Sequence, residues 1–366
     1  AAITDAAGNP LSAYSWSFTT ATSSSGGSSG SGGSSGGSSG GSTGSNTATT
    51  TPAAPVSQNV SAASGGTVAT ADQAASITLP AGALSADGQI KVAPIAAESV
   101  PATGSLQAGS PVFDITLEGA KLAKPVSLTL KYDRAKLGSV SAEKIGLYYW
   151  HETRGKWIYL GGSVDPVAGT VTAQVEHFTK FAVLANPALP VLKDIRNHWA
   201  YQDIKRLVGM EVAGGYPDGT YRPENRVTRA EFAKLVVQAM GWTPGSAALS
   251  FADKSAIPAW ASGYVATAVQ KGLIKGYEDN TFRADQAISR AEIATMVMRA
   301  LGQSKQSELN FSDAASIPAW ARGYVAAAVD LGIIKGQPGN TFAPAASATR
   351  AETATMLARL LKAMGI

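Results

Sequence analysis

The chain contains no cysteine, which excludes disulfide staples, thiolate metal sites and a cysteine nucleophile. Charge is also sparse. Only 15% of the 366 residues are Asp, Glu, Lys or Arg, while Gly, Ala, Ser and Thr abound, a balance that suits a secreted surface protein better than a cytosolic enzyme. No apolar run approaches the ~20 residues that span a bilayer, so membrane insertion is not expected. The net charge of +4 is unevenly placed: from Lys193 onward 20 basic residues face 15 acidic ones, and before it 10 face 11. That modest basic excess fits an anionic partner. It is too dilute for nucleic acid, which calls for Lys and Arg gathered on one face.

What the chain does have falls into three styles of sequence. Residues 3–19 read as a β-hairpin: Asp5-Ala-Ala-Gly8-Asn9-Pro10 is turn chemistry, and Tyr14, Trp16 and Phe18 alternate with Ser, as a half-buried strand does. A lone hairpin is marginal in water. Residues 1–21 are therefore expected to be the C-terminal fragment of a domain that begins upstream, the chain being a piece of a longer protein. Residues 22–55 are nearly all Ser, Gly, Thr and Ala, a flexible linker that cannot bury apolar surface. Its Gly26-Gly27-Ser28-Ser29-Gly30 matches the G-x-S-x-G hydrolase pattern, but with no strand before it and no helix after it the match is compositional.

Residues 56–186 carry short apolar runs between turn signals: Ile77–Leu79, Ile90–Ile95, Val112–Leu117, Val126–Tyr132, Ile145–Trp150, Trp157–Leu160, Thr170–Val175 and Phe181–Leu184. Regular short strands with Gly and Pro between them predict an antiparallel β-sandwich. No catalytic set converges in it. His151 and His177 lack the spacing of a metal pair and fit core or interfacial positions better, so no metal and no cofactor is expected.

Nearly half of the chain, from residue 191 on, is written three times. Trp199, Trp260 and Trp320 stand 61 and 60 residues apart, as do Arg229, Arg290 and Arg350. A fixed period marks one supersecondary unit copied, each copy too small to bury its own apolar face. The units are taken as 191–245, 249–305 and 309–366. Each holds an opening acid (Asp194, Asp253, Asp313), a Trp-Ala helix, a Gly-rich turn ending in Thr-aromatic, and a second helix opened by Thr/Ser-Arg-Ala-Glu. That opening is a capping box, hydroxyl to the third amide and carboxylate back to the cap amide.

Folding explains the outer letters of that motif but not its Arg, which sits at the positive end of the helix dipole where a cation is disfavoured by about 0.3–1 kcal/mol. Chosen three times, it suggests a second use. Two accounts compete: the guanidinium and the helix N-terminus receive a carboxylate or phosphate, or the Arg pairs with an internal carboxylate such as the opening Asp. The Trp residues also have two readings, a core position or a ligand platform, since an indole can serve both.

These repeats resemble the S-layer homology domain in its set of three tandem copies. Upstream, Gly65-Gly66-Thr67-Val68, Leu79-Pro80-Ala81-Gly82-Ala83-Leu84 and Lys124-Pro125-Val126-Ser127-Leu128-Thr129-Leu130 resemble the β-sandwich module of zonula-occludens and netrin-receptor proteins, and residues 3–19 resemble the closing strands of bacterial immunoglobulin-like modules. The implied architecture is a multidomain chain, an all-β sandwich followed by a mainly α pseudo-trimeric bundle with grooves between adjacent prongs. The implied function is that of a non-catalytic extracellular anchor on Gram-positive-type walls, binding a secondary cell-wall polysaccharide with pyruvylated N-acetylmannosamine. On that resemblance Arg229, Arg290 and Arg350 would receive the pyruvyl carboxylate. Asp194, Asp253, Asp313, Trp199, Trp260 and Trp320 would line the sugar-contacting grooves. The alternatives are the wall-anchor region of a surface polysaccharide-degrading enzyme, and a protein that self-associates in a surface lattice.

Overall fold

Alternating apolar and polar residues build the first half of the computed structural model, which describes residues 54–366. Its strands are β1 (Val56–Val60), β2 (Gly66–Ala69), β3 (Ala75–Leu79), β4 (Gly88–Pro94), β5 (Gln107–Ala108), β6 (Phe113–Glu118), β7 (Val126–Lys131), β8 (Ile145–His151), β9 (Lys156–Gly161), β10 (Ser163–Asp165), β11 (Thr170–Val175) and β12 (Lys180–Ala185). A short helix, α1 (Arg134–Leu137), follows β7. One antiparallel sheet runs β1-β4-β6-β12-β8-β9, with β5 also paired to β12; the other runs β10-β11-β7-β3-β2. The eight apolar runs of the sequence all fall on strands. The remaining strands are short or polar edge pieces, such as Val-Ser-Gln-Asn-Val in β1, whose pairing depends on a neighbour rather than on an apolar face. The expected hairpin of residues 3–19 and the Gly26–Gly30 match lie outside the described residues.

One side of the larger sheet makes the sandwich core through Leu147, Tyr149, Ile158 and Phe181. Its outer side is apolar too: Tyr148, Trp157, Tyr159, Ala182 and Leu184 form a second cluster that touches Met210. The cover comes partly from the first helix of the repeats. α2 (Tyr201–Gly209) packs on β9 so closely that a Cβ on Gly209 would lie 2.1 Å from Cδ1 of Tyr159. Arg154 of the sandwich also donates to the carbonyl of Ala239 (3.2 Å), and Lys362 pairs with Glu176. The described residues, 54–366, accordingly belong to one compact unit. Gly209→Ala is expected to lower stability by about 1–3 kcal/mol through overpacking of a ring that cannot move aside. Thermal unfolding measures this, and an unchanged midpoint would contradict the tight seat.

The remaining helices are α3 (Arg229–Ala239), α4 (Ala259–Gln270), α5 (Arg290–Ala300), α6 (Ala319–Asp330) and α7 (Arg350–Ala363). The second helix of each repeat packs on the first helix of the next: α3 on α4, α5 on α6, and α7 back on α2. The cycle closes. At its centre the residue two before each motif Arg joins a ring of backbone hydrogen bonds: Val227 donates to Ala348, Ala348 to Ile288, and Ile288 to Val227, at 3.1, 3.3 and 2.9 Å. All three are fully buried. This ring lies on a pseudo-threefold axis, which is why no single repeat can bury its own apolar stripe.

Candidate functional site

All three capping boxes form: Thr228, Ser289 and Thr349 accept from the amide three residues on, and Glu231, Glu292 and Glu352 reach back to the cap amide. The two amides between cap and Glu are also taken. Arg229 N donates to Gln286 O and Ala230 N to Ala284 O, and the same pattern joins repeat two to three and repeat three to one. The helix N-terminus is therefore filled by carbonyls of the next repeat. It is not the open anion receptor that the motif suggests, and any anion must be met by the guanidinium alone.

Each motif Arg also crosses to the next repeat. Its Nε donates to the carbonyl of that repeat's core aromatic: Arg229 to Phe282, Arg290 to Phe342 and Arg350 to Tyr221, each at 2.8 Å. Carbonyl oxygens thus supply the negative partner that offsets the cost of a cation at this position. Arg229 lies 4.5 Å from the Tyr277 ring centre, and Arg350 4.4 Å from that of Tyr221. The carboxylate partner weakens around the ring. Arg229 Nη1 meets Glu292 at 2.7 Å, and Arg290 stands 3.9 Å from Glu352. Arg350 has no carboxylate within 4.0 Å among the described residues and donates its Nη2 to Gly214 O at 2.9 Å. The pairing acid is thus the capping-box Glu of the next repeat, not the opening Asp.

The opening acids serve inside their own repeats. Both oxygens of Asp194, Asp253 and Asp313 accept backbone amides, from Tyr221 and Arg222, Phe282 and Arg283, and Phe342 and Ala343, each at 2.7 Å. The second residue of each pair has positive φ, 55° at Arg222, 57° at Arg283 and 55° at Ala343, and the carboxylate holds that strained corner. None of the three acids lines either cavity described below. In the adjoining turns Asp218 and Asp279 accept from Thr220 and Thr281 and from Arg222 and Arg283, and both carboxyls are held down at about 2. Repeat three loses both partners of this pair together, with Gly339 and Ala343 in their places.

The indoles turn outward. Trp199, Trp260 and Trp320 are 65%, 50% and 54% exposed, among the most exposed large apolar side chains of the described residues. Two cavities open beside them, and each draws on all three repeats. The larger, about 580 Å³, takes Arg229 from repeat one, Tyr277, Glu292, Thr295 and Arg299 from repeat two, and Trp320 from repeat three. The second, about 410 Å³, takes Arg350 from repeat three, Gly214, Glu231, Lys234 and Gln238 from repeat one, and Trp260 from repeat two. Lys234 Nζ lies 5.7 Å from the Trp260 ring centre. The same rotation leaves Arg290 and Trp199 for the face where α7 packs on α2 and Thr355 Oγ1 donates to Asp203 at 2.7 Å. Sequence reasoning missed Lys234 and Arg299. The repeat carries no signal for them, since Thr295 and Thr355 stand where repeat one has Lys234, and Gln238 stands where repeat two has Arg299.

Acid should loosen this assembly. Burial pushes the Glu292 carboxyl up, but the hydrogen bond from Tyr277 and the charge of Arg229 outweigh it and hold the group below its ordinary value. Tyr277 is in turn pushed up to about 12 by burial and by that bond. Asp253 is lowered by the amides of Phe282 and Arg283 against its burial, and Asp313 chiefly by the amide of Phe342. A carboxylate lowered in the folded state stabilises above its unfolded pKa and loses that contribution as pH falls. Stability of residues 191–366 is therefore expected to be flat above about pH 5 and to fall below about pH 4. Asp253→Asn should flatten part of the fall in a pH series of urea midpoints, and an unchanged profile would contradict the staple.

Three helical repeats thus close a ring, clasped by arginines and opening aromatic-edged clefts between neighbours. Residues 191–233, 250–294 and 310–354 match the model of the S-layer homology domain, so the chain carries three such domains behind a β-rich module. It is 35% identical over 266 residues to an amylopullulanase of Thermoanaerobacterium thermosulfurigenes, covering 70% of this chain and 14% of that protein. It is 37% identical over 158 residues to a cellulosome-anchoring protein of Acetivibrio thermocellus, covering 40% of this chain and 35% of that one. A surface layer protein of Brevibacillus choshinensis is 32% identical over 132 residues, 31% of this chain and 12% of its own length. The chain thus spans about a third or less of these relatives. No described helix is long and apolar enough to cross a membrane.

Proposed function

We propose that residues 191–366 anchor a surface protein non-covalently to the bacterial cell wall, outside the membrane, by binding a pyruvylated secondary cell-wall polysaccharide. The observation that carries this reading is the composition of the two cavities: each joins a motif guanidinium to a half-exposed indole contributed by a different repeat. A sugar ring stacks on an indole face, and a ketal carboxylate takes the guanidinium donors left over from the carbonyl bonds. Names of the relatives, cellulosome-anchoring protein and surface layer protein among them, support the same role. Arg229, Arg290, Arg350, Trp199, Trp260 and Trp320 are the contact residues of the proposal, with Arg350 the one of the three cations without a carboxylate within 4.0 Å among the described residues. Two or more occupied clefts on one polymer raise retention through effective concentration.

In this reading the β-sandwich is a non-catalytic spacer fixed to one side of the repeats. The alternative, the anchor region of a polysaccharide-degrading enzyme, is favoured by one observation. The match to the amylopullulanase covers 70% of this chain, more than residues 191–366 can hold, so it continues into the sandwich. Both readings place the same anchor here. The full chain should sediment with isolated Gram-positive walls and be released by soluble pyruvylated glycan. Sedimentation without walls would support lattice self-association instead, and no retention on walls would refute the anchor.

A further inference from the structure

The larger cleft continues into a neighbouring cavity of about 340 Å³ whose cationic lining is Lys271, Lys275 and Arg299 and whose aromatic wall is Tyr324. Lys275 and Arg299 line both cavities, so one elongated ligand can lie across the two. No carboxylate lines this second space, and among the described residues none of the three cations lies within 4.0 Å of one. Arg299 is half-buried, its Nη1 donating to Leu273 O at 3.0 Å and its guanidinium centre 5.2 Å from the Tyr324 ring centre. Lys271 Nζ stands 5.1 Å from the Trp242 ring centre.

The fold does not ask for this cluster. At the equivalent positions repeat one has Met210, Gly214 and Gln238, and repeat three has Leu331, Lys335 and Arg359. In repeat one Gln238 stands at the Arg299 position, and its Nε2 donates to Glu211 O at 3.1 Å, one carbonyl earlier than the equivalent of Leu273 O. A neutral amide therefore suffices for folding, and the three cations together occur in repeat two alone. Uncompensated like charges around one open space repel each other and disfavour the empty state.

We propose that Lys271, Lys275 and Arg299 form a second anion subsite, which receives a carboxylate or phosphate on the sugar next to the one held by Arg229 and Trp320. This rests on the anchor reading above and extends it: the preferred ligand of this cleft carries two anionic groups on adjacent residues. The three repeats then differ in selectivity, with only the cleft of repeat two reading the second charge in full.

The test compares Lys271→Met/Arg299→Gln, which installs the residues of repeat one, with the unaltered full chain. Calorimetry uses three defined disaccharides: one with a single pyruvate ketal, one with an added carboxylate on the neighbouring sugar, and one with an added phosphate there. The unaltered chain should bind at least one doubly charged glycan about tenfold more tightly than the singly charged one. The variant should bind all three alike, so that the ratio between doubly and singly charged glycans falls to about one. Whichever of the two added groups gives the gain identifies the second anion. Equal affinities in the unaltered chain, or a preference that survives in the variant, would overturn the subsite and leave the anchor standing. Failure to bind even the singly charged glycan would overturn both.

Discussion

Trp320→Ala should lower affinity for soluble pyruvylated glycan by tenfold or more while leaving the unfolding midpoint nearly unchanged. Trp320 is 54% exposed and edges the larger cleft opposite Arg229, so its face is available to a sugar ring and contributes little to the core. Aromatic anchors in a binding site typically cost about 2 kcal/mol or more on truncation, which is at least tenfold in affinity. A surface substitution away from caps and cavities moves stability by roughly 0.5 kcal/mol or less. Trp260→Ala should act alike on the second cleft, and the double variant should be lost from whole walls far more completely than either alone, because simultaneous engagement fails. A large fall in stability with unchanged glycan affinity would assign the indoles to the core and remove the platform.

Arg229→Ala should behave in the opposite way, as a folding defect first. The side chain is 6% exposed and bridges repeats one and two through Phe282 O and Glu292. Its removal leaves a buried carboxylate with only Tyr277, Ser289 and the cap amide as partners. Breaking a buried pair from one side costs about 3–5 kcal/mol, which in a unit of this size lowers the melting point by roughly 5–15 °C. Arg350→Ala has no such carboxylate to strand and should cost clearly less, in the range of lost hydrogen bonds, about 1–2 kcal/mol. The ordering is the sharp part of the expectation. Equal losses at the two positions would mean that the Glu292 pair contributes nothing, and a loss of wall binding in Arg229→Ala is interpretable only beside its melting curve.

The division of labour explains what the sequence shows and what it hides. The period of 61 and 60 residues, the capping boxes and the eight apolar runs that become strands are local patterns, and local patterns are legible. The destination of each motif Arg is not. Arg229 and Arg290 reach carbonyls 53 and 52 residues ahead, and Arg350 reaches one 129 residues behind, a closure that only the ring of three repeats creates. The opening acids mislead for the same reason. Asp253 meets amides 29 and 30 residues on, and nothing in its surroundings signals that Arg283 has positive φ and needs holding. Each motif guanidinium is a clasp between repeats, and those of Arg229 and Arg350 also line an open cleft. Glu211 stands where the other repeats stop their first helix with Gly272 and Gly332, and it adopts the same left-handed conformation (φ 61°). The geometry of the corner was legible there, although its glycine was missing.

The most direct test of the central claim is sedimentation of the full chain with one batch of Gram-positive walls before and after mild acid has removed the pyruvate ketals. The account predicts retention on the intact walls and its loss, by tenfold or more, on the stripped ones, with Trp320→Ala weak on both. Undiminished retention on ketal-free walls would contradict the assignment of the arginine-and-indole clefts to a carboxylate-bearing sugar.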